Sequence, residues 1–139
     1  MKTIRFLVLI LLLLTACSKP AALGADAPAD AVPDIVGDFG VNGVSSNGTE
    51  YAGTLTIQPG SAVGQYKLQW IITGGIHEGI GVLDGNVLNF EWSSLSSVAG
   101  QSSGAGVYTV TVNGELYGSR TTDGEQGSAA ETCYPNKKP

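Results

Sequence analysis

Apolar residues recur at every second position along most of this chain, and that alternation restricts it to strands with one buried face. Tyr51, Gly53, Leu55 and Ile57 alternate with Ala52, Thr54, Thr56 and Gln58, and Tyr66, Leu68, Trp70 and Ile72 with Lys67, Gln69 and Ile71. The same period governs Phe39 and Val41, then Leu88, Phe90 and Trp92, then Tyr108, Val110 and Val112. A period of two puts successive side chains on opposite faces of a strand, whereas a helix would repeat near 3.6. Between the runs stand Asn47-Gly48, Pro59-Gly60, Gly74-Gly75, Asp84-Gly85, Asn113-Gly114 and Asp123-Gly124, pairs suited to the positive φ of tight turns. Strands are therefore expected over 37–44, 50–58, 65–72, 76–83, 86–92, 106–112, 115–121 and 128–134.

Short antiparallel strands joined in succession bury their apolar faces by closing into a barrel or by folding into two packed sheets. No spacing here provides the long crossover of a Greek key, so the expected fold is all-β: a single small antiparallel up-and-down barrel of about eight short strands. A two-residue loop at Asp84-Gly85 would set Leu83 opposite Asn86, Gly81 opposite Leu88, Gly79 opposite Phe90 and His77 opposite Trp92. This register faces glycines with large rings in the interior and turns Glu78 to solvent. At Asn113-Gly114 the register stays open, with an inward Arg120 as one outcome. Tyr66, Trp70, His77, Phe90 and Trp92 are the expected interior group. Eight strands enclose a space that such side chains just fill.

Ahead of this domain, Lys2 and Arg5 precede an apolar stretch, Phe6 to Leu14, too short to span a bilayer as a helix. Leu14-Thr15-Ala16-Cys17 closes it and resembles the lipobox of bacterial lipoproteins. That resemblance implies removal of residues 1–16 as a signal peptide, acylation of Cys17, and a membrane partner reached only through lipid. Ser18, in place of the aspartate that tends to retain such proteins at the inner membrane, implies the outer membrane, with the domain facing the periplasm. Residues 17–35, rich in Ala, Pro and Asp without apolar periodicity, read as a flexible, disordered tether; 36–135 form the barrel domain and 136–139 a disordered tail.

Removing Lys2 and Arg5 leaves five of the seven basic residues against twelve acidic ones, a formal charge of −7. Lys67 and Arg120 are the only basic residues between Ala21 and Asn136, so no basic groove exists to neutralise phosphates, and nucleic acid is not an expected partner. With Cys17 acylated, Cys133 lacks an intrachain partner and is expected as a packed free thiol. His77 is the only histidine, and its neighbour Glu78 lies on the opposite strand face, so the two cannot act as base and orienter. No spacing of His, Cys, Asp or Glu suits a metal ion, no cofactor motif is present, and no enzyme activity is expected. The Ser- and Gly-rich stretch 93–106 reads as the longest loop, with Ser93, Ser94, Leu95, Gln101 and Ser102 as candidate interaction residues.

The series Gly37-Asp38-Phe39-Gly40-Val41, Tyr51-Ala52-Gly53-Thr54-Leu55-Thr56-Ile57, Tyr66-Lys67-Leu68-Gln69-Trp70-Ile71-Ile72, Gly79-Ile80-Gly81-Val82, Gly85-Asn86-Val87-Leu88 and Leu116-Tyr117-Gly118 resembles a small β-module of proteobacterial secreted proteins. Some members of that module carry a fibronectin-binding label. The resemblance spans nearly the whole folded domain, but it rests on glycines and inward aromatics and so speaks to fold. It implies an aromatic where Arg120 stands, hence a remodelled last hairpin. The meander also resembles avidin and lipocalin barrels, without their diagnostic motifs. Together these features lead to an envelope lipoprotein displaying a non-catalytic binding or structural module for a protein or glycan, an inhibitor of an envelope hydrolase among the options. The alternative is a carrier of small hydrophobic ligands.

Overall fold

Eight strands pair in sequence order, each antiparallel to its neighbours, and the last pairs with the first. In the computed structural model, which describes residues 22–136, they are β1 (Gly37–Val44), β2 (Glu50–Pro59), β3 (Gln65–Ile72), β4 (Gly75–Asp84), β5 (Val87–Ser97), β6 (Ser103–Val110), β7 (Leu116–Arg120) and β8 (Ala129–Pro135). The closed up-and-down barrel is the expected fold. The signal peptide and Cys17 lie outside the described residues, as do 137–139 of the expected tail.

Alternation decides what faces inward. Phe39, Val41, Leu55, Ile57, Leu68, Trp70, Leu88, Phe90, Trp92, Tyr108, Val110, Leu116 and Cys133 are all buried in one cluster. Tyr66 packs half-buried against it. Trp70 sits at its centre, fully buried, with Nε1 donating to Tyr108 Oη at 3.1 Å and its ring 5.3 Å from that of Phe90. Cys133 is the expected buried free thiol.

Four expectations are corrected in detail. The β4–β5 turn is centred on Gly85-Asn86, not Asp84-Gly85, so Leu83 pairs with Leu88, Gly81 with Phe90, Gly79 with Trp92 and His77 with Ser94. Only Gly85 takes a positive φ there (56°), which fits a turn needing glycine at its first central position. The slide is two residues, so every side chain keeps its face. Val112, expected inward, is exposed, because β6 ends at Val110 and the chain turns over 111–115.

The third correction concerns 93–106. β5 continues to Ser97 with a bulge at Leu95, and β6 starts at Ser103, leaving a loop of residues 98–102. Gly104 and Gly106 are barrel glycines opposite Trp92 and Phe90; a Cβ on Gly106 would run into the Phe90 ring. They provide room for rings rather than flexibility.

The fourth concerns the expected tether. Residues 22–36 run across one end of the barrel: Ala27 N donates to Val110 O (2.9 Å), Val112 N to Ala25 O (2.8 Å), and Tyr117 Oη to Asp26 (2.8 Å). Ile35 is fully buried within the core and Ala27 almost fully so, with Val32 packed against the core cluster that holds Ile35. Three irregularly spaced apolar residues give no periodic signal, yet burying Ile35 alone is worth about 1.5 to 3 kcal/mol. This end is a sealed base. Residues 17–21 of the expected tether lie outside the described residues.

Candidate functional site: the open mouth of the barrel

At the end opposite the base, the loops 45–49, 73–74, 98–102 and 121–128 surround a cup of about 470 Å³. Its floor is formed by Tyr51 of β2, His77 of β4, Trp92 of β5 and Arg120 of β7. Arg120 faces inward because Leu116, two strand repeats earlier, does the same. It is only 6% exposed, with its guanidinium 4.9 Å from the Trp70 ring and 4.8 Å from the Trp92 ring, so two indoles hold the cation between them.

Below it lies Glu131 of β8, brought inside by the same alternation that buries Cys133. Arg120 Nε is 3.0 Å from Glu131 Oε1 but lacks an aligned hydrogen bond, so the attraction is ionic rather than directional. Tyr51 Oη donates to Glu131 Oε1 at 2.6 Å and Tyr108 Oη donates to Oε2, giving the carboxylate two phenolic donors. A buried ion pair forfeits much solvation, and such additional hydrogen bonds are what make it tolerable. Burial, followed by the neighbouring Glu131, raises the Tyr51 hydroxyl above the usual phenol range. For Tyr108 burial leads again, with Cys133 and Glu131 adding to it. The Cys133 thiol is likewise pushed up by burial and then by Glu131, which keeps it a thiol rather than a thiolate.

His77 stacks on Trp92, ring centroids 4.7 Å apart, with Nδ1 3.2 Å from Arg120 Nη1. A guanidinium only donates, so Nδ1 accepts and the imidazole proton resides on Nε2. Burial and then the Arg120 charge push the imidazole down to about 4, so it is neutral at physiological pH.

Of the expected interior group, His77 and Trp92 meet at the cup, Trp70 and Phe90 lie beneath it, and Tyr66 is at the far end beside Pro59 and Gly81. Of the expected interaction residues, Gln101 and Ser102 line the cup. Ser93, Ser94 and Leu95 belong to β5, where Ser94 is buried with Oγ accepting from Ser102 N (2.8 Å), while Ser93 and Leu95 face outward. Glu131 is absent from both expected groups, although its i, i+2 relation to an inward Cys133 is a signal for it. A larger hollow, about 710 Å³, lies on the outer wall across β2 to β5. Its charged residues, Lys67, Glu78 and Glu91, are all exposed, as on any outer sheet face. Among the described residues no group of His, Cys, Asp and Glu is arranged to hold a metal ion.

No family model matches the chain, and no curated protein matches it. Solved structures do. A redesigned β-barrel, mFAP1, bound to DFHBI, is similar at a TM-score of 0.61 and 18% identity, over 72% of this chain and 94% of that one. A second redesigned barrel, b11L5F_LGL, gives 0.62 at 16% identity over 74% and 92%. A fluorescence-activating β-barrel of de novo design gives 0.52 at 19% over 73% and 93%. At these identities the likeness concerns the fold.

Proposed function

We propose that this chain is a lipoprotein of the bacterial outer membrane, acylated at Cys17, whose barrel is a non-catalytic binding module engaging an envelope protein or glycan through its mouth. The observation that carries this reading is the contrast between the ends: a base sealed by residues 22–36 and a mouth that opens into a cup lined by both polar and apolar side chains. The described chain begins at residue 22 on the base, five positions after Cys17, so a lipid at Cys17 would tether the sealed end rather than the cup. The absence of catalysis is supported by the commitment of His77 Nδ1 to Arg120 and by the burial of Cys133 as a thiol.

The carrier reading draws on the cup and on the DFHBI bound to one similar barrel. It is second because Trp70, Phe90 and Tyr108 fill the space below, leaving no apolar chamber for a hydrophobic ligand.

The test has two parts. Metabolic labelling with a fatty acid should mark the wild type and not Cys17→Ser. In capture from envelope extracts, the full-length lipoprotein should retain a partner that is lost with Gln101→Arg/Ser102→Arg. Label on Cys17→Ser overturns the anchor, and a partner indifferent to the mouth variant overturns the mouth as the binding end.

A further inference from the structure

Resting on the reading of the mouth as the binding end, we infer that the cup is a site for a neutral, hydroxyl-rich ligand, a glycan segment without charged groups. Size comes first: about 470 Å³ lies within the range of small-ligand pockets.

The charges then exclude the other classes. On the floor Arg120 is paired with Glu131, so no uncompensated positive charge is available to an anion. At the rim stand Glu50, Asp123 and Glu125, all exposed, within the reach over which like charges repel at physiological salt. An anion is therefore disfavoured on both counts. A cation drawn in by the rim would descend onto the Arg120 guanidinium and the donor face of His77. Ile72, Trp92 and Val98 give the cup apolar surface, but a wholly apolar ligand would still strip water from the hydroxyls, carboxylates and guanidinium among them without replacing their hydrogen bonds.

A sugar fits what remains. Its hydroxyls donate and accept together, and the cup presents both kinds of partner: acceptors on Asp123 and Glu125, the Nε2–H of His77, and side chains such as Ser46, Gln101 and Ser128 that do both, with the rings of Tyr51 and Trp92 as apolar surface for the sugar's C–H face. Arg120 lines the cup and is more than nine-tenths buried; its Nε is turned down onto Glu131 and one Nη onto His77 Nδ1, so what remains of the guanidinium toward the cup donates and never accepts.

The experiment is titration calorimetry of the full-length chain in neutral detergent micelles with maltotriose, cellotriose and N,N′,N″-triacetylchitotriose. Inorganic phosphate, n-butylamine and 1-octanol serve as the charged and apolar comparisons. Saturable binding of at least one neutral trisaccharide is expected, weakened tenfold or more by Gln101→Ala/Ser128→Ala and unchanged by Lys67→Ala on the outer wall. Circular dichroism of the double variant establishes that it is folded; should it not be, Ser46→Ala replaces it under the same criterion. Silence toward all three trisaccharides overturns the inference, as does tighter binding of phosphate, the amine or octanol, or equal loss in Lys67→Ala. A silent panel beside a mouth-dependent protein partner sinks the glycan and leaves the proposed function standing. Trisaccharide binding by a chain without acyl label does the opposite.

Discussion

The lower and upper halves of the barrel are made from the same eight alternating strands, but only the upper half buries charged side chains among its apolar ones. Toward the base, Ile35, Ile57, Leu88, Val110 and Leu116 are fully buried and apolar. Each contributes about 1.5 to 3 kcal/mol by leaving water. Toward the mouth the strands bury Arg120 and Glu131, whose desolvation their attraction and hydrogen bonds only offset. A pleated wall is thus indifferent to what it encloses, provided that each inward group finds its partner. Stability is concentrated in one half, and chemistry a ligand can read in the other.

The comparison is sharpest at its boundary. Trp70→Ala should cost about 3 to 5 kcal/mol in urea unfolding, because it removes the central ring that touches both halves. A loss below about 1 kcal/mol would mean that the core is not organised around it. Glu131→Ala should cost a similar amount, about 3 to 5 kcal/mol, since it leaves a buried guanidinium and two phenols without their acceptor. Arg120→Met together with Glu131→Leu should recover the part of that loss due to the unpaired guanidinium, while the two phenols still lack their acceptor. If the double variant were no better than the single, the mouth would owe stability, not only polarity, to its ion pair.

At the base, Ile35→Ala should cost about 2 to 5 kcal/mol, where a disordered tether would give nothing. The pH dependence separates the halves more gently. His77 has its folded value pushed down to about 4 from 6.5, so below pH 6.5 the unfolded chain takes up a proton that the folded one refuses. Its effect is nil above that range, and stability falls as the pH drops toward 4. Urea midpoints at pH 7 and pH 5 should differ less in His77→Gln than in the wild type; an equal difference would assign the dependence to carboxylates instead. The smallest effect belongs to residues 98–102. Replacing them with Asn-Gly should change stability by less than about 1 kcal/mol, since closure depends only weakly on loop length, while weakening binding at the mouth.

Legibility followed the same division. Strand periods and glycine turns were plain in the sequence, and β1 and β3 lie where alternation put them. The rule that sets Gly79 and Gly81 opposite large rings holds equally for Gly104 and Gly106, but serine-rich surroundings disguised Gly104 as loop and left Gly106 at the loop's edge. The Arg120–Glu131 pair was harder, because a charged residue inside a strand reads as outward until its partner on the neighbouring strand is known. Strand pairing supplies that knowledge and local periodicity does not. The base was hidden for the same reason: Ile35 has no period of its own and becomes core only within a closed barrel.

The seam where β1 meets β8 has a consequence in time. It lays residue 41 beside residue 133, so the first strand made is paired on one side only until the last has been delivered. During that interval the incomplete sheet presents two unpaired backbone rims, each able to template on another copy, and contacts so distant in sequence form slowly. A chain cut short after Arg120 would remain in that condition. Its expected fate is aggregation rather than a smaller barrel, which makes the final strand the step that turns a sticky ribbon into an inert vessel.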